Sequence, residues 1–152
     1  MYTDFAELPI AFKYADFGVS VDLQKDMRSP EQLIYRRGTP VYMAPEQGSA
    51  SASGVDIRKV EVFSLGVILF RLIFKQYPFR PTSYEDSAAR DPLFVDKFID
   101  SNQNINNIKV SDSLRALLKG MLEFSNERRL SLDQVIASPW FIEMSKLLKS
   151  DR

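Results

Sequence analysis

The sequence predicts a mainly α domain, a helical bundle around one buried central helix with a short strand near its start. Three observations predict it. Residues 59–74 are apolar on every face of a helix, which belongs at the centre of a domain. Leu114, Leu117, Leu118, Met121 and Leu122 recur at i, i+3, i+4, i+7 and i+8, the stripe of an amphipathic helix. Only Ile10, Phe12 and Tyr14 alternate with a period of two, and they read as one strand.

Taken in order, that strand ends at Asp16-Phe17-Gly18, where a glycine permits reversal. Residues 19–58 show no sustained apolar period, and their small-residue run at 48–54 reads as flexible. So long an irregular stretch inside a compact domain is either functional or a sign that its elements are wrongly assigned. In the 59–74 helix, Val60, Val62, Phe63, Leu65, Val67, Ile68, Leu69, Phe70, Leu72, Ile73 and Phe74 are apolar. Glu61 and Arg71 are the polar exceptions, and Arg71 is expected to snorkel to the surface. Tyr77-Pro78-Phe79 stops the helix. Residues 91–99 predict a short helix anchored by Leu93, Phe94 and Phe98, and residues 102–107 a polar loop. Ser111 or Asp112 caps the next helix. Ser131 and Gln134 form a capping-box pair that opens another, ended by Pro139. Trp140, Phe141, Met144, Leu147 and Leu148 give a last stripe.

Composition narrows the chemistry. The chain of 152 residues holds 20 basic and 20 acidic residues, so charge predicts neither a nucleic-acid partner nor a basic patch. It holds no Cys and no His, which excludes disulfides, thiolate nucleophiles, imidazole bases and Cys or His metal ligands. Carboxylates, Lys, Arg, hydroxyls and backbone remain. The start is not a signal peptide, and no apolar run approaches the ~20 residues of a membrane helix. No membrane partner is expected. The chain is expected to be intracellular, cytoplasmic or nuclear.

Five further motifs follow Asp16-Phe17-Gly18: residues 38–46 (GTPVYMAPE), 61–67 (EVFSLGV), 77–79 (YPF), 126–131 (NERRLS) and 138–141 (SPWF). In this order and spacing they resemble the C-terminal lobe of eukaryotic protein kinases, of the Ser/Thr type, over roughly residues 10–145.

The resemblance implies ATP and Mg2+ as cofactors and a protein substrate. Asp16 matches the acid that holds Mg2+ on the ATP phosphates, since a hard cation needs anionic oxygen. Phe17 and Gly18 match the residues whose packing and swing separate active from inactive forms. Residues 10–18 become the strand and metal-binding loop, 19–46 the activation segment and 59–149 the helical subdomain. Gly38, Thr39, Pro40 and Tyr42 match the loop that receives the substrate segment. Glu46 matches an acid paired with a distant Arg, here Arg129. Ser29, Tyr35 and Thr39 are candidate phosphosites, and a phosphate there orders the segment if a cationic pocket receives it.

The resemblance also marks what is missing. No Gly-rich loop and no Val-Ala-x-Lys strand precede Asp16, and the His-Arg-Asp loop does not appear. No catalytic Asp and no small-lobe Lys are therefore present. Glu61 stands where the family has Asp on the central helix, Phe63 where it has Trp and Ser138 where it has His. Two readings follow. The chain is a partial domain of a Ser/Thr kinase, inactive by itself, with a missing small lobe or an upstream kinase as partner. Alternatively it is a non-catalytic, pseudokinase-like protein-binding module. In either case, apolar surface that a small lobe and catalytic loop would cover is expected to be exposed.

Overall fold

The computed structural model of the chain describes residues 15–26, 28–48, 54–79, 93–105 and 109–150. A 3-10 turn, Phe17–Val19, leads to helix α1 (Pro30–Ile34) and a second 3-10 turn, Pro45–Gly48. Then come α2 (Ile57–Phe74), α3 (Phe94–Ile105), α4 (Asp112–Met121), α5 (Leu132–Ile136) and α6 (Pro139–Ser150). The fold is mainly helical, and no strand occurs among the described residues. The strand expected over residues 10–14 lies outside them.

The central helix starts two residues earlier than its apolar run, because the Asp56 side chain accepts a hydrogen bond from Arg58 N and caps it. It stops at Lys75, a left-handed cap with φ 58° whose N–H donates to Arg71 O. All-round burial is corrected. Val60, Val62, Phe63, Gly66, Val67, Phe70 and Phe74 are buried, while Leu65, Ile68 and Leu72 form an exposed stripe. Helices α4 and α5 both pack against α2. Arg71 is exposed, as expected, and its guanidinium lies 4.1 Å from the Tyr77 ring centre.

Helix α4 is a second centre, touching α2, α3 and α6. Its cap is Ser111, whose Oγ accepts from Leu114 N. Gly66 sets the α2–α4 approach: a Cβ built there would stand 2.9 Å from Met121 Cβ and 3.1 Å from Leu122 Cδ2. Only a hydrogen fits that crossing. Two aromatic clusters fill the core around it. Phe70, Phe74 and Phe98 have ring centroids 4.6–5.2 Å apart, and Phe63 and Phe124 flank Phe79 at 5.9 and 5.6 Å. Each fully buried Phe contributes about 1.5–3 kcal/mol.

Helix α3 corrects two expectations. It continues through Ile105, so the loop expected from residue 102 is helix for its first four residues. Its buried anchors are Val95 and Ile99, with Phe98 packed against the core, while Leu93 precedes the helix and is exposed. Arg115 of α4 bonds Asp100 at 2.8 Å and approaches Asp96 at 3.6 Å, and Lys119 bonds Asp96 at 2.7 Å. Solvent-facing pairs of this kind align the two helices but add little stability.

Ser131 and Gln134 form the expected capping box on α5. Ser138 is buried, and its Oγ accepts from Phe141 N at the start of α6. Of the last stripe, Trp140 packs on the core, but Phe141 and Leu147 are exposed.

Candidate functional site

Asp16 caps the first 3-10 turn from a left-handed backbone, φ 59°, and its Oδ1 accepts from Gly18 N at 3.3 Å. That conformation is uncommon outside glycine and short polar residues. It presents the carboxylate on an exposed turn. Phe17 is 69% exposed and packs into no core. A Cβ at Gly18 would stand 3.2 Å from Asp16 Oδ1, so glycine keeps that carboxylate oxygen accessible to the backbone.

The next residues are less irregular than expected. Ser29 Oγ accepts from Gln32 N while Ser29 N donates to Gln32 Oε1, a capping box that opens α1. Arg28 clamps Asp26 with both Nε and a terminal nitrogen, which draws the Asp26 carboxyl down to about 2. Tyr35 caps α1 at its end, half-buried, with the Arg36 guanidinium 5.2 Å above its ring.

The segment is stapled from within by Gln47, a buried residue that sequence reasoning passed over. Its amide oxygen accepts from Ala44 N at 2.9 Å and its amide nitrogen donates to Arg37 O at 3.0 Å. Gly38 turns the chain at φ 101°, where a side chain would be strained. Thr39 O then accepts from Tyr42 N, and Pro40 O from Met43 N, so residues 39–43 fold back as consecutive turns. Thr39 is exposed and Pro40 half-buried.

Tyr42 anchors this loop on the central helix. Its carbonyl accepts from Ser64 Oγ at 3.1 Å, and its hydroxyl lies 3.0 Å from that of Tyr77. Their rings meet edge to face at 5.6 Å. Between residues 19–47 and the first turns of α2 lies a cavity of about 360 Å3. Leu33, Met43 and Val60 give it an apolar wall, and Arg37, Arg58 and Glu61 give it charge. Glu61 is exposed, and no described residue hydrogen-bonds its side chain.

Glu46 and Arg129 lie 83 positions apart and meet in a two-point ion pair. Arg129 NH1 donates to Glu46 Oε1 at 2.6 Å and NH2 to Oε2 at 2.9 Å. The remaining donors go to backbone carbonyls of Glu123, Lys59 and Phe124 at 2.8, 2.9 and 3.3 Å. All five guanidinium N–H groups are thus used. The guanidinium also sits 4.9 Å from the Phe63 ring centre. Burial pushes the Glu46 carboxyl up, but hydrogen bonds from Arg129 and Asn126 outweigh it and hold the group below its ordinary value. Asn126 is a second missed residue. Its Nδ2 bonds Glu46 Oε1 at 2.8 Å and Asp56 O at 3.1 Å, and its Oδ1 accepts from Asp56 N. Its signal was its place at the head of the 126–131 motif.

The structure therefore brings Gly38, Thr39, Tyr42 and Glu61 around one cavity, with the Glu46–Arg129 pair joined to α2 at Lys59. Asp16, Phe17 and Gly18 form an outer turn, and the described residues hold no cluster of three acids around Asp16. As a metal donor Asp16 offers one exposed carboxylate. That fits Mg2+, which commonly takes one or two carboxylates and completes its shell with phosphate and water. Among the described residues, no helix is long and apolar enough to cross a membrane.

A family model described as "Protein kinase domain" matches residues 5–141. The "Ovarian-specific serine/threonine-protein kinase Lok" of Drosophila melanogaster is 33% identical over 140 residues, 92% of this chain and 28% of that protein. The "CBL-interacting serine/threonine-protein kinase 15" of Arabidopsis thaliana is 32% identical over 130 residues, 85% of this chain and 28% of that protein. The "Calcium-dependent protein kinase 20" of Oryza sativa subsp. japonica is 33% identical over 136 residues, 90% of this chain and 22% of that protein. The chain thus spans under a third of the length of these relatives.

Proposed function

The chain belongs to the protein kinase domain family, and we propose that it forms part of a Ser/Thr kinase that transfers the γ-phosphoryl group of ATP to a protein hydroxyl. In this reading residues 10–18 carry the metal-binding turn, 19–46 the activation segment and 59–149 the helical support. When bound, Mg2+ would supply positive charge against the charge that develops during transfer. Asp16 supplies one anionic oxygen to it from an exposed turn, and Gly18 N orients that carboxylate. Phe17, unpacked in this structure, is the group that would move between states.

Gly38, Thr39, Pro40 and Tyr42 hold the protein substrate. The observation that supports this most is the double anchoring of Tyr42, through its carbonyl to Ser64 and its hydroxyl to Tyr77. A loop fixed at two points, one on the central helix and one on the turn after it, can present a hydroxyl acceptor with little entropy left to lose. The Glu46–Arg129 pair holds the far end of the same loop. Glu61 faces the cavity beneath it and is the acid positioned to receive backbone N–H groups from a catalytic loop.

Ser29, Tyr35 and Thr39 are the phosphosites proposed for regulation. Arg37 and Arg58 on the cavity wall supply the cations that such a phosphate needs. By itself this chain is proposed to be inactive, since transfer also needs a nucleotide-binding lobe and a catalytic base.

A second reading, a non-catalytic protein-binding module, draws support from Glu61, whose carboxylate has no described partner. Transcript sequence 5′ of the first codon separates the two. An in-frame His-Arg-Asp loop preceded by a Val-Ala-x-Lys strand supports the kinase. An in-frame stop codon immediately upstream supports the module.

A further inference from the structure

We propose that the C-terminal end of α2 carries a groove that reads acidic side chains in the protein segment docked beside Tyr42. The proposal rests on the protein-substrate reading above and names the substrate class.

The groove has a volume of about 400 Å3 and is formed by Tyr42, Ile68, Arg71, Leu72 and Lys75. Tyr42 belongs to the loop from 38 to 46, and the other four lie along the last turns of α2 and its cap. The groove is therefore continuous with the loop assigned to substrate.

Its charge is of one sign. Arg71 and Lys75 are both exposed. The described ion pairs engage Lys25, Arg28, Arg115, Lys119, Arg128 and Arg129, and neither groove cation has a carboxylate partner among the described residues. The favourable field at a helix C-terminus explains why cations are tolerated there. It does not explain how they are held. The Arg71 guanidinium carbon stands over the Tyr77 ring, 4.1 Å from its centre, and the Tyr77 hydroxyl in turn meets the Tyr42 hydroxyl at 3.0 Å. The ring contact restrains the guanidinium beside the groove, and its exposed position leaves N–H groups available to a carboxylate. Lys75 occupies a left-handed cap position that glycine would fill without strain, and it places a second cation one turn away.

The floor is apolar. Ile68 and Leu72 are 44% and 63% exposed. The occupant that matches is an extended protein segment with Asp or Glu at the cations and a flanking Leu, Ile or Val on the floor. A basic segment would meet two like charges.

The test uses the 152-residue chain and three fluorescein-labelled peptides on one Gly/Ser backbone. Their centres are Leu-Glu-Glu-Leu, Leu-Gln-Gln-Leu and Leu-Lys-Lys-Leu, and binding is read by anisotropy at low ionic strength, without ATP. The glutamate peptide is expected to bind at least about fivefold tighter than the glutamine peptide. Arg71→Glu with Lys75→Glu is expected to reverse the preference toward lysine. Equal affinity for all three peptides overturns the proposal, as does no binding of any up to millimolar concentration. A groove closed by a second copy, seen as self-association through Ile68 and Leu72 that the glutamate peptide does not displace, also overturns it. If the double variant fails to fold, Lys75→Glu alone, at an exposed cap, must still weaken the glutamate peptide selectively. Failure of phosphoryl transfer with Arg71-dependent binding intact would sink the kinase reading and leave this one standing. Transfer with charge-indifferent binding would do the reverse.

Discussion

Arg129 holds Glu46 from both oxygens while its remaining N–H groups tie three backbone carbonyls, so one guanidinium joins the 38–46 loop, α2 and the 123–129 turn. The Arg129 side chain is 0% exposed and that of Glu46 is 8%. The pair is a buried junction.

Breaking one partner of such a pair leaves an uncompensated buried charge. Arg129→Ala and Glu46→Ala are each expected to lose about 3–5 kcal/mol by urea denaturation. Arg129→Lys should recover little of this, because an ammonium cannot reproduce the fork. Swapping the two charges should recover only part, since the carbonyls of Glu123, Lys59 and Phe124 would then lack their donor. Full recovery on swapping would show that the pair acts by charge alone.

The same junction sets the acid limb of stability. The folded Glu46 carboxyl lies below its ordinary value. Its contribution is therefore complete above the ordinary carboxylate range and is lost as pH falls through the lowered folded value. Glu46→Gln should flatten the fall in Tm on acidification relative to the wild type. Parallel curves for the two proteins would remove Glu46 from the acid response. Asp26, drawn down to about 2 chiefly by the Arg28 side chain and backbone N–H, should keep its charge through the same range when followed by NMR, and should rise only part of the way back in Arg28→Ala, where the backbone N–H remains.

Gly66 is the close-approach position between α2 and α4. Gly66→Ala gains helix propensity of up to ~1 kcal/mol but forces a Cβ against Met121 and Leu122. Overpacking should win, with a net loss of about 1–2 kcal/mol in thermal or urea unfolding. A stabilised variant would mean that α4 moves aside freely.

Two capping boxes of the same pattern, Ser29 with Gln32 and Ser131 with Gln134, open α1 and α5. Ser→Ala at either should cost about 1 kcal/mol of local stability. Hydrogen exchange distinguishes them. Ser29→Ala should speed exchange within residues 30–35, and Ser131→Ala within residues 132–137. Changes spread across the whole chain in both variants would instead indicate one cooperative unit.

The helical class was legible because burial writes a period into the sequence. Leu114, Leu117, Leu118 and Met121 face the core as their spacing indicates. The exposed stripe Leu65, Ile68 and Leu72 was not legible, because an apolar residue carries no mark of whether a neighbour covers it. Helix α1 was missed although Ser29 and Gln32 carry the capping pattern that was read at Ser131 and Gln134. Five residues are too few to show a period. At the site, Glu46 and Arg129 were legible from motif positions alone. The carbonyls that complete the Arg129 shell, and the amide of Gln47 that staples the segment, have no sequence signature.

The central claim is a phosphoryl-transfer role in which Asp16 holds the metal. Its most direct measurement is Mg2+-dependent transfer from ATP to a Ser/Thr protein substrate. Three samples are compared: the longest natural product containing this chain, its Asp16→Asn variant, and residues 1–152 alone. Transfer is expected from the first, a loss of about a hundredfold or more in the second, and none from the third. A folded natural product without transfer, transfer indifferent to Asp16→Asn, or Asp16-dependent transfer by residues 1–152 alone would contradict the central claim.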